Sequence, residues 1–448
     1  MKKIQLSDHF KCSTILIFAL PSIGMQLVDN TYQVADGYFI SNFISAAAFA
    51  AENLIFPPLF VVASIGLMFG SGSAALISNR LGSGARESAN RLLSLTVLAV
   101  TVLGILLSGL LFVLMPVIAR GVGAEESMLP YCVEYGRVLA LCMPFQILNG
   151  TFHSLLIVAE RPGLGLAVSV INAVVNIVLD GLFVAVLGWG LKGAALATGL
   201  AWIVSALVPI FFFRKKDIPL HFASPCRDLA ALLKACGNGA SEMINAISFS
   251  FIAMLFNYRL LFYAGENGVA AYAVSTYVTG VAVAVFYGVA MSVTPVAGYH
   301  LGRKNPKELH SLRKNGLIVT GLLGLFLGGM SFLLAEQIAG FFVGYARDLT
   351  ELSVEALRVI AFGYPTCGMA ILCSAYFTGL GDGKSSLFVA GARSFLFPLI
   401  GLLLLPGRLG RLGIWLTRPL SEISALLIAV VLIRTVGIHR FDREEKQQ

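Results

Sequence analysis

Apolar segments of twenty or more residues recur along almost the whole chain, separated by short polar breaks. A helix that crosses a bilayer needs about 20 such residues. No water reaches the hydrocarbon core, so a spanning backbone must satisfy its own hydrogen bonds, as a helix does. Runs this long, without strict alternation, read as helices. They are expected near residues 13–40, 50–78, 92–118, 131–158, 162–187 and 191–213, and again near 229–256, 268–298, 314–335, 350–380, 385–406 and 413–436. Twelve spans occupy roughly 240–300 residues, so a chain of 448 is left with short loops and no sizeable soluble domain. Only 12% of the residues are charged and 57% are hydrophobic, against about 25% charged in a soluble domain. A water-soluble globule and a disordered chain are excluded. So is a nucleic-acid binder, despite the net charge of +8.

The N-terminus has Lys2 and Lys3 before its apolar stretch, as a signal peptide does, but no convincing cleavage site follows. The stretch is expected to remain as the first span. Cysteines number seven, an odd count without a CxxC (Cys12, Cys132, Cys142, Cys226, Cys236, Cys367 and Cys373). They read as small apolar fillers, not as a disulfide framework or zinc site.

Charge placement orients the bundle. The even-numbered connections and the two ends hold 22 Lys and Arg, and the odd-numbered connections hold six. Positive charge gathers on the cytoplasmic side, so both termini are expected there, in an even number of spans. The most polar interior segment, 214–234, carries Arg214, Lys215, Lys216, Pro219, Pro225 and Arg227 near the midpoint. It divides the chain into an N-lobe at 1–213, a cytoplasmic linker at 214–234 and a C-lobe at 235–448.

The two halves echo each other. Arg80-Leu81-Gly82-Ser83-Gly84 matches His300-Leu301-Gly302-Arg303-Lys304, and Gly190-Leu191-Lys192-Gly193 matches Gly410-Arg411-Leu412-Gly413, both at an offset of 220. Pro144 and Pro365 lie 221 apart. Each half has six spans, so both enter the membrane from the same side and the repeats are parallel. That architecture implies a substrate cleft between two lobes and alternating access.

A charge at mid-bilayer costs about 2.5–3.5 kcal/mol on insertion scales, so intramembrane charges are candidates for function. The first half offers Asp29, Asp36, Glu52, Glu134, Arg137, His153 and Asp180; the second offers Glu242, Arg358, Arg393, Arg418 and Glu422. Asn172, Asn176 and Asp180 follow at a spacing of four, which places them on one helix face. Two amides and a carboxylate suit a hydrated cavity or a small hard cation, which prefers oxygen ligands. Asp36 supplies a second acid and Thr198 a hydroxyl. Two nearby acids in a medium of low dielectric share a proton readily. Asp36, Asn176, Asp180 and Thr198 are therefore the expected site for a coupling proton or sodium ion, with no other cofactor. Glu242, in Gly239-Ala240-Ser241-Glu242-Met243, is either an acid facing a cationic substrate or a first-turn Glu favoured by the helix dipole. His153, Arg393 and Glu422 read as structural or gating groups, and Asp29 as structural.

Enzyme motifs are missing. Without a P-loop, ATP is not the direct energy source. Gly70-Ser71-Gly72-Ser73 lies in a helical stretch, where close packing explains it better than a nucleophile elbow does. No enzymatic activity is expected.

Leu20-Pro21 with Tyr32-Gln33-Val34-Ala35-Asp36 resembles the first helix of multidrug and toxic compound extrusion (MATE) transporters. Asn176-Ile177-Val178-Leu179-Asp180 resembles their fifth-helix motif, and Gly193-Ala194-Ala195-Leu196-Ala197-Thr198 the start of their sixth. Gly239–Met243 with Gly265-Glu266-Asn267-Gly268-Val269-Ala270-Ala271-Tyr272 is similar to the MepA-like bacterial branch. The chain departs from the family at Gly181, where Pro often follows the Asp, and at Gln33, where Asn is usual. The resemblance implies an all-α integral membrane fold, with 12 transmembrane helices in two parallel six-helix repeats forming a V-shaped bundle. It implies an H+- or Na+-coupled antiporter of the bacterial cytoplasmic membrane that exports organic cations, with Asp36, Asn176, Asp180 and Thr198 as its ion site. Asn172, Gln33, Tyr32 and Glu242 become candidates for substrate contact. The expected partners are small organic cations and membrane lipids, with no nucleic acid, and the protein is expected to be a monomer. The alternative is a flippase for lipid-linked saccharides, for which Arg137, Arg358, Arg393 and Arg418 would serve the pyrophosphate.

Overall fold

The computed structural model of the protein describes residues 4–126, 128–225 and 228–445, with side chains of Ala46 and of 436–445 left out. Lys2, Lys3, Cys226, Arg227 and Lys446 lie outside the described residues. Every regular element among those described is helical. The spans are α1 (Cys12–Phe43), α2 (Ala46–Gly82), α3 (Arg86–Gly121), α4 (Leu129–Val158), α5 (Pro162–Val186) and α6 (Gly190–Phe213). A continuous helix Leu229–Gly302 follows, and it breaks at Gly265, whose φ of 64° and ψ of −161° favour glycine. Its two parts are α7 (229–264) and α8 (266–302). Then come α9 (Pro306–Leu333), a short helix Ala335–Val343, α10 (Arg347–Ala361 and Tyr364–Gly379, bent by 48°), α11 (Gly383–Leu409) and α12 (Arg411–Glu445). Counted this way, the described residues carry the twelve expected spans.

These helices carry their apolar residues outward as well as inward. On α3, Val102, Leu106, Val113 and Val117 are exposed, while Leu92, Thr96, Val100, Ser108 and Met115 are buried. An exposed aliphatic face is stable in lipid, where it costs nothing to leave it uncovered.

The chain forms two compact units. One comprises Gly24–Gly239 with the segment up to Leu6; the other comprises Ser7–Ile23 with the chain from Ala240 onward. The first turns of α1 therefore belong with the second unit, and the start of α7 belongs with the first. The change of unit at 239/240 falls five residues after the expected start of the C-lobe at 235, while residues 7–23, expected in the N-lobe, group with the second unit. Small residues allow the close approach. A Cβ at Gly72 of α2 would lie 2.0 Å from the Ala235 carbonyl oxygen of α7, and one at Gly239 would lie 1.9 Å from that of Met68.

The internal repeat is built into the turns. After α2, Ala85 N–H donates to the Arg80 carbonyl and Gly84 N–H to that of Leu81; after α8, Asn305 donates to His300 and Lys304 to Leu301. Gly84 and Lys304 both have positive φ, 83° and 54°. The turns after α4 and α10 repeat the scheme, with Glu160 and Gly381 at positive φ, and each of these four turns ends a helix whose last carbonyls are satisfied by a reversed residue. Gly190 and Gly410, at the starts of α6 and α12, also have positive φ.

Candidate functional site

Helix α5 turns its polar stripe inward. Ser169, Asn172, Asn176 and Asp180 are buried, whereas Val170, Val174, Val178 and Leu182 are exposed. Immediately after Asp180 the helix widens into a π turn over Gly181–Val186, where Leu187 N–H donates to the Leu182 carbonyl at 2.9 Å. Such turns mark functional positions in many helices. The local loosening that a proline would impose is present with glycine at 181.

The expected ion site assembles in the first unit. Asn176 Nδ2 donates to Thr198 Oγ1 at 3.1 Å, and Thr198 Oγ1 faces Asp36 Oδ2 at 3.5 Å. Asp36 and Asp180 are both buried and lie beside each other. As two carboxylates neither can donate. Asp36 Oδ1, both oxygens of Asp180 and Asn176 Oδ1 accordingly have no hydrogen-bond partner. Leaving a buried acceptor unpaired costs about 1–3 kcal/mol, more for a charged one. A proton between the acids supplies the missing donor, and a small hard cation would find four oxygens. No group of three His, Cys, Asp or Glu side chains suited to a metal occurs among the described residues, so an ion here depends on the amide and hydroxyl oxygens as well. Glu52 of α2 faces this pair, and its Oε2 is also unpartnered.

One turn along, Asn172 Oδ1 accepts from Ser205 Oγ at 3.4 Å, and Asn149 Nδ2 donates to Ser205 Oγ at 2.9 Å and to the Trp202 carbonyl at 3.1 Å. Tyr32 is buried beside Trp202 and Asn172, between Asp29 and Asp36 on α1. Gln33 is exposed. Tyr135, Asn149 and Ser205 were not among the sequence candidates. None of them carries a charge, so none stood out among the intramembrane candidates; Tyr135 of α4 stands beside Asp36, Glu52 and Asp180.

The second unit has its own buried polar centre. Arg393, at the π turn Ala392–Leu396 of α11, donates from Nη2 to Asn245 Oδ1 (3.3 Å) and Tyr287 Oη (3.2 Å), and from Nη1 to Glu422 Oε1 (3.5 Å). Glu242 lies against Arg393 and Asn245. Asn245, one turn after Glu242, was legible as an i, i+3 partner; Tyr287 carried no signal. Two other intramembrane arginines are engaged elsewhere: Arg358 pairs with Glu336 at 2.9 Å over the Phe332 ring, and Arg137 bonds the Phe112 carbonyl at 3.2 Å.

Comparison with known proteins gives a consistent answer. The MatE family model matches residues 21–182 and 240–402, once in each half. The chain is 24% identical to the probable multidrug resistance protein YoeA of Bacillus subtilis, over 96% of this chain and 94% of that one. It is 22% identical to the multidrug export protein MepA of Staphylococcus aureus, over 93% and 92%. Among solved structures, an outward-facing multidrug resistance MATE transporter of the MOP superfamily superposes with a TM-score of 0.90 at 23% identity, covering 100% of this chain and 99% of that one.

Proposed function

Because the chain belongs to the MATE family, whose members are membrane transporters and not enzymes, we propose that it is an ion-coupled antiporter that exports organic cations and other drugs by alternating access. The buried Asp36–Asp180 pair, with oxygens that no protein donor answers, carries this reading. A proton or sodium ion arriving from outside neutralises the pair, weakens its hold on a cationic substrate and favours outward release. The ion then leaves to the cytoplasm, and the acids again attract substrate. Coupling of this kind requires the ion to bind the two access states with different affinity. Tyr32, Asn172 and Gln33 in the first unit and Glu242 in the second are the candidate substrate contacts. The relatives named as multidrug export proteins favour the same substrate class. The proposed setting is a bacterial cytoplasmic membrane, with both termini in the cytoplasm. Two of the arginines that a lipid-pyrophosphate site would need are already answered by carboxylates, Arg358 by Glu336 and Arg393 by Glu422, which favours the exporter over the flippase.

The test is transport of a fluorescent organic cation by the reconstituted protein, under a pH gradient and a sodium gradient imposed separately. One gradient is expected to drive it, and Asp36→Asn and Asp180→Asn are each expected to insert and fail to export. Normal export by both variants removes the site assignment. A folded protein that moves no cation under either gradient points instead to lipid-linked substrates.

A further inference from the structure

The exporter reading leaves open which ion is coupled, and a third polar rung in the first unit bears on that choice. The α5 stripe does not stop at Asn172. It continues to Ser169, whose Oγ lies 3.4 Å from Nε2 of His153 on α4. The other ring nitrogen, Nδ1, lies 3.8 Å from Oδ2 of Asp29 on α1. One imidazole thus sits between a carboxylate and a hydroxyl, one partner to each nitrogen. On α1 the acids and the hydroxyl repeat at helical spacing: Asp29, Tyr32, Asp36. With about 1.5 Å of rise per residue, the α5 stripe from Ser169 to Asp180 spans roughly 16 Å. His153 is five residues from the end of α4 and Ser169 seven from the start of α5, at the end of the helices assigned to the cytoplasm.

We propose that His153 and Asp29 form a second proton-binding site, the cytoplasmic end of a relay that begins at the Asp36–Asp180 pair, which makes the coupling ion a proton. This rests on the exporter reading. One carboxylate, one hydroxyl and an imidazole do not make the set of oxygen ligands that a small hard cation prefers, whereas a proton passes through the ring. With His153 starting as the Nε2–H tautomer, a protonated Asp29 carboxyl breaks its O–H bond as His153 Nδ1, 3.8 Å away, gains an N–H. The imidazolium then gives up its Nε2 proton toward Ser169 and the helix end. Bonds to hydrogen alone change, and the charges balance.

The titratable and charged groups around the ring are few. Asp29 faces it from α1 and Ser169 from α5. The only charged residue of α5 is Asp180. Those of α2 are Glu52 and Arg80, that of α6 is Lys192, and those of α3 are Arg86, Glu87, Arg91 and Arg120, all near helix ends. On α4 itself Glu134 and Arg137 lie more than about four turns away.

The experiment uses the full chain in liposomes with ethidium as substrate and a trapped pH dye. Wild type, His153→Gln and Asp29→Asn are compared in ethidium-for-ethidium exchange at equal pH, in pH-gradient-driven accumulation between about pH 5.5 and 8, and under a sodium gradient. Exchange needs substrate binding and alternation but no net proton transfer. Both variants are expected to exchange, and to lose gradient-driven accumulation by roughly a hundredfold, the low end of what a positioned proton-transfer group contributes, with a flattened pH profile. Driven transport and a pH profile like those of wild type, in both variants, overturn the relay. Loss of exchange together with driven transport in both makes the pair structural and also overturns it. A wild type driven by sodium alone overturns the proton assignment and leaves the exporter standing; a wild type that moves ethidium under no condition removes the exporter reading itself.

Discussion

An arginine inside a membrane-spanning helix persists only where its donors are answered. Arg393 is 7% exposed, and its terminal nitrogens reach Asn245, Tyr287 and Glu422. Removing one member of a buried ion pair strands the other charge, at a cost of about 3–5 kcal/mol, whereas replacing both by apolar groups is often neutral. Arg393→Met is therefore expected to destabilise the second unit by about that amount, and Arg393→Met with Glu422→Leu to recover most of it. Thermal unfolding in detergent, read by a thiol-reactive dye on the buried Cys367 and Cys373, measures both. A double variant no more stable than the single one would mean that the pair does not hold the centre together. The same logic explains the Asp36–Asp180 pair from the opposite side: three of its four carboxylate oxygens lack protein donors, so they are suited to a mobile one.

Helices here are positioned by what they omit. At Gly239 a methyl group would meet the Met68 backbone oxygen of α2 at 1.9 Å. A backbone atom cannot swing aside, so Gly239→Val is expected to separate α7 from α2 and to abolish the monodisperse folded protein, as size-exclusion chromatography reads. The repeat makes an opposite prediction. Lys304 adopts φ 54° at the place where the other half has Gly84. A left-handed non-glycine residue costs about 1–2 kcal/mol, so Lys304→Gly is expected to raise stability by about 1 kcal/mol in the same melting assay. No gain would mean that the lysine side chain compensates for its backbone.

At the scale of the whole chain, an even number of spans and a biased charge distribution lead to the proposed sidedness. If both termini face the cytoplasm, a single cysteine introduced at Lys216, between α6 and α7, is labelled by an impermeant maleimide only from the inside. One introduced at Gly123, between α3 and α4, is labelled only from the outside. Both positions lie in exposed connections, so labelling reports sidedness and not burial. The reverse pattern would invert the proposed direction of transport, and the relay from Asp36 to His153 would then point outward.

The number of helices, their approximate limits, the parallel repeat and the Asn172–Asn176–Asp180 stripe were set by the sequence itself. Each depends on local periodicity: twenty apolar residues make a span, and a spacing of four makes a face. The echo at 220 residues likewise reports turns that need a left-handed residue at fixed places. Only the tertiary structure decided which faces meet. Gln33 and Tyr32 are neighbours in sequence, yet one is exposed and the other buried, because the direction of α1 depends on its packing against other helices. Tyr135 of α4 stands beside acids of α1, α2 and α5, and Asn149 and Ser205 link α4 and α6 to Asn172 of α5, which no pattern within any one helix reveals. Residues 7–23 join the second unit although they begin the first repeat. His153 and Asp29, read separately in the sequence as structural groups, acquire a shared chemistry once folding brings them within 3.8 Å. Periodicity reaches only along one helix; proximity across helices is set by packing.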